Sequence, residues 1–368
     1  MKHMNIELNN LPQQWEEISN QAYPEIKDYL SSGNYVNSTY IKRFEDAWSA
    51  YVSLNYSTLV SSGTSAYKLC LESLELAPQD TCVLLPDNTW ASILFVTKKL
   101  GYKYDFLDCD TFLQFNTKKL DKWISKNRDK YKNVILVPTH ILGHPCDMKT
   151  IMTIAVRNDC YVIEDCSQAH GAYCTVGPVG QFSDIAFWSL YPGKNLGGVS
   201  QAGIVSTNDI NLNNKVRYYT NCGMKEKNVF EVLGENHRPC GISSIVLYHK
   251  LNKLEEWTEK RIEIASLYNS YLTTASFEAG YCKRHVYHYY YMLLPRRDIL
   301  LSSLEASGIP YGINYPFTLS KLDKRRNITN HSNYVSNNII CLPCHHSLQE
   351  SDVKYISDVV NTVRRWDL

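Results

Sequence analysis

No stretch of this 368-residue chain approaches the length of a membrane span. Its first residues, MKHMNIELNNLPQQW, hold no long apolar segment of the kind a secretory leader needs. Neither sign of charge is in excess: 38 basic side chains face 37 acidic ones, for a formal net charge of +1. That balance gives no reason to expect nucleic acid or a membrane surface as partner. No G-x-G-x-x-G follows the early apolar runs, which argues against a nicotinamide dehydrogenase. Internal repeats, low-complexity tracts and obvious linkers are missing as well. The expectation is a cytoplasmic globular protein, long enough for one large domain and a smaller one.

Cysteine, by contrast, is plentiful, with 12 residues. Most stand alone in apolar surroundings, such as Cys70, Cys82 and Cys160, and without a leader they read as reduced, small core residues. One cluster, CLPCHH at Cys341–His346, matches the C-x-x-C-H haem-attachment pattern. That chemistry belongs outside the cytoplasm, so the expected reading is a strand ending in a loop. The N-x-[ST] sites at Asn37, Asn55, Asn327 and Asn330 lose their meaning for the same reason.

From about Ser61 the chain alternates between amphipathic segments and short apolar runs. TCVLLP, YKYDFLDCD, NVILVPTHILG, YVIEDC, IAFWSL and AGIVSTN read as strands. Helical patterns separate the first four, which predicts an α/β fold with a mostly parallel sheet flanked by helices. SSIVLYHKLNKLEEWTEKRIEIASLYNSYL reads as one long connecting helix. Beyond it, HVYHYYYMLL predicts an antiparallel strand and RRDILLSSLEASG a helix closed by Gly308. Ser347 and Glu350 are spaced as a capping box for a last helix. The expected division is a large α/β domain over residues 1–250 and a small α+β domain over 251–368.

Ligands of an open parallel sheet sit beyond the carboxyl ends of its strands. Three clusters fall there. SSGTS, Ser61–Ser65, opens a helix, and Gly63 would let backbone amides approach an anion. YVIEDCSQAHG places Asp165 at the end of a buried strand, with Gln168 close behind; a buried carboxylate there needs a positive partner. FWSLYPGKNLGG places Lys194 where an apolar strand stops, and partial burial makes an amine nucleophilic. An anion cradle, an acid and a nucleophilic lysine are the parts that pyridoxal 5'-phosphate (PLP) requires. PDNTWAS adds Trp90 as a flat residue to lie against a ring.

The ordered motifs SSGTSA, PDNTW, THILGHPCDM, EDCSQAHGA, FWSLYPGKNLGG, GENHR and CLPCHHSLQESDV resemble the DegT/DnrJ/EryC1/StrS family of PLP-dependent sugar aminotransferases. The resemblance covers nearly the whole chain. It implies the aspartate-aminotransferase-like fold of type I. It also implies Lys194 as the Schiff-base lysine, Asp165 as partner of the pyridine nitrogen and Gln168 beside the ring hydroxyl. Trp90 takes the stacking position, the amides of Thr64 and Ser65 hold the phosphate, and Ser189 also contacts it. Asn236 would reach that phosphate from a neighbouring subunit, which implies a homodimer with shared sites.

Two segments depart from the family pattern. GGVSQAG stands where a GDGG-like run is common, and YPFTLS, Tyr315–Ser320, lacks a histidine found in the YP-x-P-L-H region. Both lie where a sugar would bind. The implied activity is transamination of a nucleotide-linked keto-deoxysugar with glutamate as donor. The expected ketone is at C4 of a 4-keto-6-deoxyhexose, with C3 as the nearest rival. A PLP-dependent dehydratase and a catalytically silent sensor are the alternatives; an intact Lys194 argues against both.

Overall fold

The computed structural model describes residues 6–36, 39–273, 282–324 and 329–364. Asn37 and Asn327 lie outside them. Two helices open the chain, α1 (Leu11–Ser32) and α2 (Thr39–Val52). Then come β1 (Tyr56–Val60), α3 (Gly63–Ser73), β2 (Thr81–Pro86), α4 (Ser92–Lys99), β3 (Lys103–Leu107), α5 (Thr117–Asn127) and β4 (Asn133–Leu136). The large unit continues with α6 (Met148–Arg157), β5 (Tyr161–Asp165), the short β6 (Tyr173–Cys174), β7 (Ile185–Ser189), β8 (Gly203–Thr207) and α7 (Ile210–Thr220).

Seven of these strands form one sheet in the order β1-β8-β7-β5-β4-β2-β3. β8 is the inverted member, antiparallel to both β7 and β1, while the remaining pairs are parallel. Period-two alternation divides the sheet's side chains between two cores. Val83, Leu85, Ile135, Ile163, Phe187 and Val205 pack on α3 and α4 on one face. Leu84, Leu136 and Val162 pack over α5 and α6 on the other, and Ala186, Trp188 and Ile204 under α2. Full burial on both faces is why these strands read as continuous apolar runs. β1 also belongs to the sheet, a strand that the sequence reading, starting at Ser61, did not include.

A small hairpin, β9 (Met224–Glu226) and β10 (Val229–Phe230), follows. The long helix expected next is two helices, α8 (Gly241–Leu251) and α9 (Leu254–Tyr271). The break at Asn252–Lys253 lets one sequence serve two cores. Leu247, Leu251 and Leu254 pack with Trp48 and Trp188 in the large unit, whereas Ile264, Ala265 and Tyr268 enter the core of the tail. Next come β11 (Cys282–Arg284), which pairs with β6, then β12 (Tyr290–Leu293), α10 (Arg297–Ala306), the short α11 (Leu319–Leu322), α12 (Asn330–Asn338), β13 (Ile339–Leu342) and α13 (Glu350–Arg364). β12 and β13 are antiparallel. Ile6 joins their core from the other end of the chain.

The capping box expected at Ser347 and Glu350 does not form. α13 starts at Glu350, and Ser347 instead bonds His345 Nδ1 at 2.9 Å. The Asp352 carboxylate accepts the Gln349 amide at 2.9 Å. Cys341 lies in β13 and Cys344 just beyond it, both buried, their thiols pushed up to about 12 by burial.

Two carboxylates fasten the tail to the sheet. Asp87, following β2, accepts Ser320 N at 2.6 Å and the hydroxyls of Ser320 and Thr329 at 2.7 and 2.5 Å. Asp108, following β3, accepts Ser332 N and Oγ at 2.7 Å, His331 N at 3.1 Å and Lys119 Nζ at 2.5 Å. Burial alone would raise the Asp108 carboxyl, but the bonds from Lys119 and Ser332 outweigh it and hold it at about 2. It also meets the positive end of α12. A folded-state value below the unfolded one stabilises above about pH 4, and that stabilisation is lost as pH falls toward 2. Asp108→Asn should therefore cost about 2 kcal/mol at neutral pH. In denaturant titrations the gap to wild type should narrow between about pH 4 and pH 2; a gap independent of pH refutes the assignment.

Candidate active site

β5 ends on Asp165 and β7 on Ser189, adjacent strands whose carboxyl ends open into one cavity of about 500 Å³. Asp165 is only 5% exposed. Its Oδ1 accepts Ser167 N at 3.0 Å, while Oδ2 has only a long contact of 3.4 Å from Thr139 Oγ1. Burial pushes its carboxyl up, against the bonds from Ser167 and the nearby Lys194 charge. Lys194 follows a turn closed by its own amide on Tyr191 O at 2.9 Å, and its side chain lines the same cavity. Burial pulls the amine down to about 8, against the pull of Asp165. For both groups desolvation wins over mutual attraction. A value of 8 leaves about one amine in ten neutral at pH 7, where an ordinary lysine has fewer than one in a thousand.

The opposite end of the cavity is the start of α3. Ser62 caps it, its hydroxyl accepting Ser65 N at 3.0 Å, and Gly63 and Thr64 line the cavity with Ser189. A Cβ on Gly63 would stand 2.7 Å from Ser189 Cβ, so glycine is what lets the helix start abut the end of β7. The first turn of the helix, with Ser62, Thr64 and Ser189, thus lines one end of the cavity, the Ser62 hydroxyl being taken by the cap.

Trp90, 54% exposed, forms a further wall with Tyr315 at a ring separation of 5.5 Å and Phe317 at 6.4 Å. Gln168 lines the cavity with its amide committed: Oε1 accepts Leu142 N at 2.7 Å and Nε2 donates to Tyr315 Oη at 2.8 Å. Gly63, Thr64, Trp90, Asp165, Gln168, Ser189 and Lys194 are thus brought together. Ser65 is not on the cavity wall. It is 9% exposed, and its hydroxyl is engaged by Ser61 and Ser62 at 3.0 and 2.9 Å. Asn236 is exposed on the loop after β10, bridged to Asn221, and does not line this cavity.

The structure adds residues that the sequence reading did not name as site members: Asn9, Tyr191, His288, Tyr289 and Tyr315. Asn9 arrives from the start of the chain and donates to Tyr289 Oη at 3.1 Å. Tyr191 and Tyr315 lie within the FWSLYPGKNLGG and YPFTLS motifs, whereas no local pattern marks Asn9, His288 and Tyr289. One buried cluster, His140 with Glu164 and Cys166, has metal-ligand chemistry; Glu164 Oε1 is taken by His140 and by Gly180 N, while its Oε2 has no hydrogen-bond partner among the described residues. Cys146 N donates to His140 Nδ1 at 2.9 Å, so Nε2 carries the proton and bonds Glu164 Oε1 at 2.8 Å.

These features fit PLP. An under-bonded buried carboxylate suits a pyridinium N–H, a helix start flanked by hydroxyls suits a phosphate, and a partly neutral lysine suits an aldehyde. Asp165 takes its hydrogen bonds from Ser167 and Thr139 rather than from Lys194, which leaves room between acid and amine. The sheet order, with its single inverted strand, and this site define a PLP-dependent enzyme of fold type I.

Comparison with known proteins narrows that class. The DegT/DnrJ/EryC1/StrS aminotransferase family profile matches residues 16–361. The chain is 30% identical to a dTDP-3-amino-3,4,6-trideoxy-alpha-D-glucose transaminase of Streptomyces venezuelae, over 82% of this chain and 79% of that one. It is also 30% identical to a UDP-N-acetyl-3-dehydro-alpha-D-glucosamine 3-aminotransferase of Acidithiobacillus ferrooxidans, over 82% of each. The crystal structure of S. venezuelae DesV in complex with a ketimine intermediate superposes with a TM-score of 0.91, at 26% identity, over 97% of this chain and 98% of that one. The chain belongs to the DegT/DnrJ/EryC1/StrS family of PLP-dependent sugar aminotransferases. Among the described residues no helix is long and apolar enough to cross a membrane.

The contact between Gly63 and Ser189 gives a direct check. Gly63→Ala should weaken PLP binding by about tenfold, roughly 1.4 kcal/mol, by driving the helix start off β7. Fluorescence titration of the cofactor-free protein measures it, and wild-type affinity in the variant contradicts the packing argument.

Proposed function

We propose that the protein transfers an amino group from glutamate to the ketone of a nucleotide-linked deoxysugar, with the ketone at C3. The meeting of Lys194 and Asp165 in one cavity with the α3 start carries the reading. The C3 choice is supported by the names of the two relatives, both of which carry 3-amino chemistry, and C4, the position expected from the sequence, is its rival.

PLP, when bound, supplies the electron sink that stabilises negative charge on the carbon losing its proton. The chain's own residues do the rest. The α3 start, with Gly63, Thr64 and Ser189, holds the phosphate. Asp165, buried and short of hydrogen bonds, receives the ring N–H and keeps it protonated. Trp90 lies against the ring, and Gln168, held by Leu142 and Tyr315, lies beside its hydroxyl. Lys194 Nζ would hold the cofactor's aldehyde and, as a free amine, would carry the proton at the substrate carbon. An amine near 8 suits both directions of that transfer at neutral pH.

Asn236 lies outside its own chain's cavity, so its expected role needs a second copy. The residues around it suit such an interface: Leu233 and Phe230 are 98% and 64% exposed. A homodimer would cover them and bring Asn236 to the neighbouring phosphate.

Lys194→Ala should bind PLP without a covalent link and lose turnover, measured as absorbance after glutamate addition; full transamination by that variant defeats the mechanism. Asp165→Asn should keep the fold and lose at least a hundredfold in rate. A panel of nucleotide-linked 3-keto and 4-keto sugars with glutamate, read by mass spectrometry, tests the position, and exclusive amination of the 4-keto sugars contradicts the C3 reading.

A further inference from the structure

His288 is 3% exposed and lines the cavity that Lys194 enters. It is tied to the residue directly after that lysine: Asn195 Oδ1 meets His288 Nδ1 at 3.1 Å. Asn195 can present only its oxygen there, because its Nδ2 donates to Val286 O at 3.0 Å. Nδ1 therefore carries the ring proton, and Nε2 keeps its lone pair.

The groups around the ring keep it in that state. Burial, with the charges of Lys194, Arg261 and His170, holds the imidazole far below its ordinary range. Tyr289 packs its ring on the imidazole at 4.5 Å. Arg261 is 2% exposed and donates to Tyr287 O and His288 O at 3.3 and 3.5 Å, and His288 N donates to Leu142 O at 2.9 Å. Main chain, tautomer and charge are thus fixed from three different elements. Asp165, the other nearby acceptor, is given to the cofactor ring in the reading above. Gln168, Tyr289 and Tyr315, which share the wall, already accept hydrogen bonds from Leu142, Asn9 and Gln168. His288 Nε2 is an acceptor that no described residue uses.

We propose that His288 is a positioning residue for Lys194: its bare Nε2 accepts a hydrogen bond from the lysine's amine whenever that amine is free. This rests on Lys194 being the reactive lysine. It adds a parking place on the wall built by Lys194's own neighbour, Asn195. No covalent bond changes. An acceptor stabilises the ammonium more than the neutral amine, so its removal should lower the pH at which Lys194 titrates.

The test uses cofactor-free protein, pulsed with acetic anhydride from pH 6 to pH 10, with Lys194 acetylation read by mass spectrometry. Wild type should titrate near 8. His288→Phe removes both nitrogens. His288→Asn keeps a donor for Asn195 but no acceptor for Lys194. Both should titrate about one unit lower, exposing about fivefold more neutral amine at pH 7. His288→Gln can set an amide oxygen where Nε2 stood and should stay close to wild type. Should His288→Phe fail to melt cooperatively, His288→Asn decides. A wild-type titration in His288→Asn overturns the proposal. So does a shift in His288→Gln as large as in the other two, because the effect then follows the ring and not the acceptor. Borohydride trapping of PLP in wild type checks Lys194 separately: a label elsewhere overturns the functional reading, while the anhydride titration still reports on the Lys194–His288 pair.

Discussion

The site depends on two charges being removed from water without being allowed to meet. Asp165 is pushed up and Lys194 pulled down, the reverse of what a close ion pair would do. Each would be less costly in contact with the other, yet the Asp165 oxygens face Ser167 and Thr139. The sheet enforces the separation. β5 and β7 are neighbours, but Asp165 ends its strand directly, whereas Lys194 lies five residues beyond Ser189 on a turn closed at Tyr191. The unrelieved cost is paid by the fold and recovered when a molecule bearing both an N–H and an aldehyde fills the gap.

Three acids follow the parallel strands, and only one is left for chemistry. Asp87 and Asp108 are consumed by the amides and hydroxyls of Ser320, Thr329, His331 and Ser332. These bonds place the tail over the sheet and so complete the cavity with Tyr315. Ser320 stands where the family pattern has histidine. Its hydroxyl is turned into that clamp and not into the cavity, whose lining on this side includes Trp90 and Tyr315.

The sheet was legible because full burial writes itself locally: YVIEDC and IAFWSL need no distant information to read as strands. Gly63, Asp165 and Lys194 were legible because they follow such runs, where an open sheet binds its ligands. The split between α8 and α9 was hidden, since helical periodicity continues through Asn252–Lys253 and only the presence of two cores shows that the chain must turn. The failed box at Ser347 has the same origin: His345 competes for its hydroxyl. Asn9 and His288 reach the cavity by tertiary packing alone, whereas Tyr315 opens the YPFTLS segment already placed near the sugar. Ser65 matched a motif through its amide, and in the structure that amide donates to the Ser62 hydroxyl of the helix cap.

The outer wall shows why such residues escape local reading. Glu7 O accepts from His345 Nε2 at 3.0 Å, and Asn9 bonds Tyr289 two residues further on. Ile6 lies in the core of the tail. The start of the chain is thereby held by its far end, and the cavity wall it builds exists only once both are folded. Arg261 ties the same region together from α9, reaching the carbonyls of Tyr287, His288 and Cys344. A buried guanidinium satisfied by carbonyls alone is costly unless those carbonyls are already in place. The CLPCHH turn therefore ties the region together by three contacts: the Cys344 carbonyl accepts from Arg261, the Cys344 thiol meets the Arg261 carbonyl at 3.5 Å, and the His345 imidazole holds the N-terminal strap.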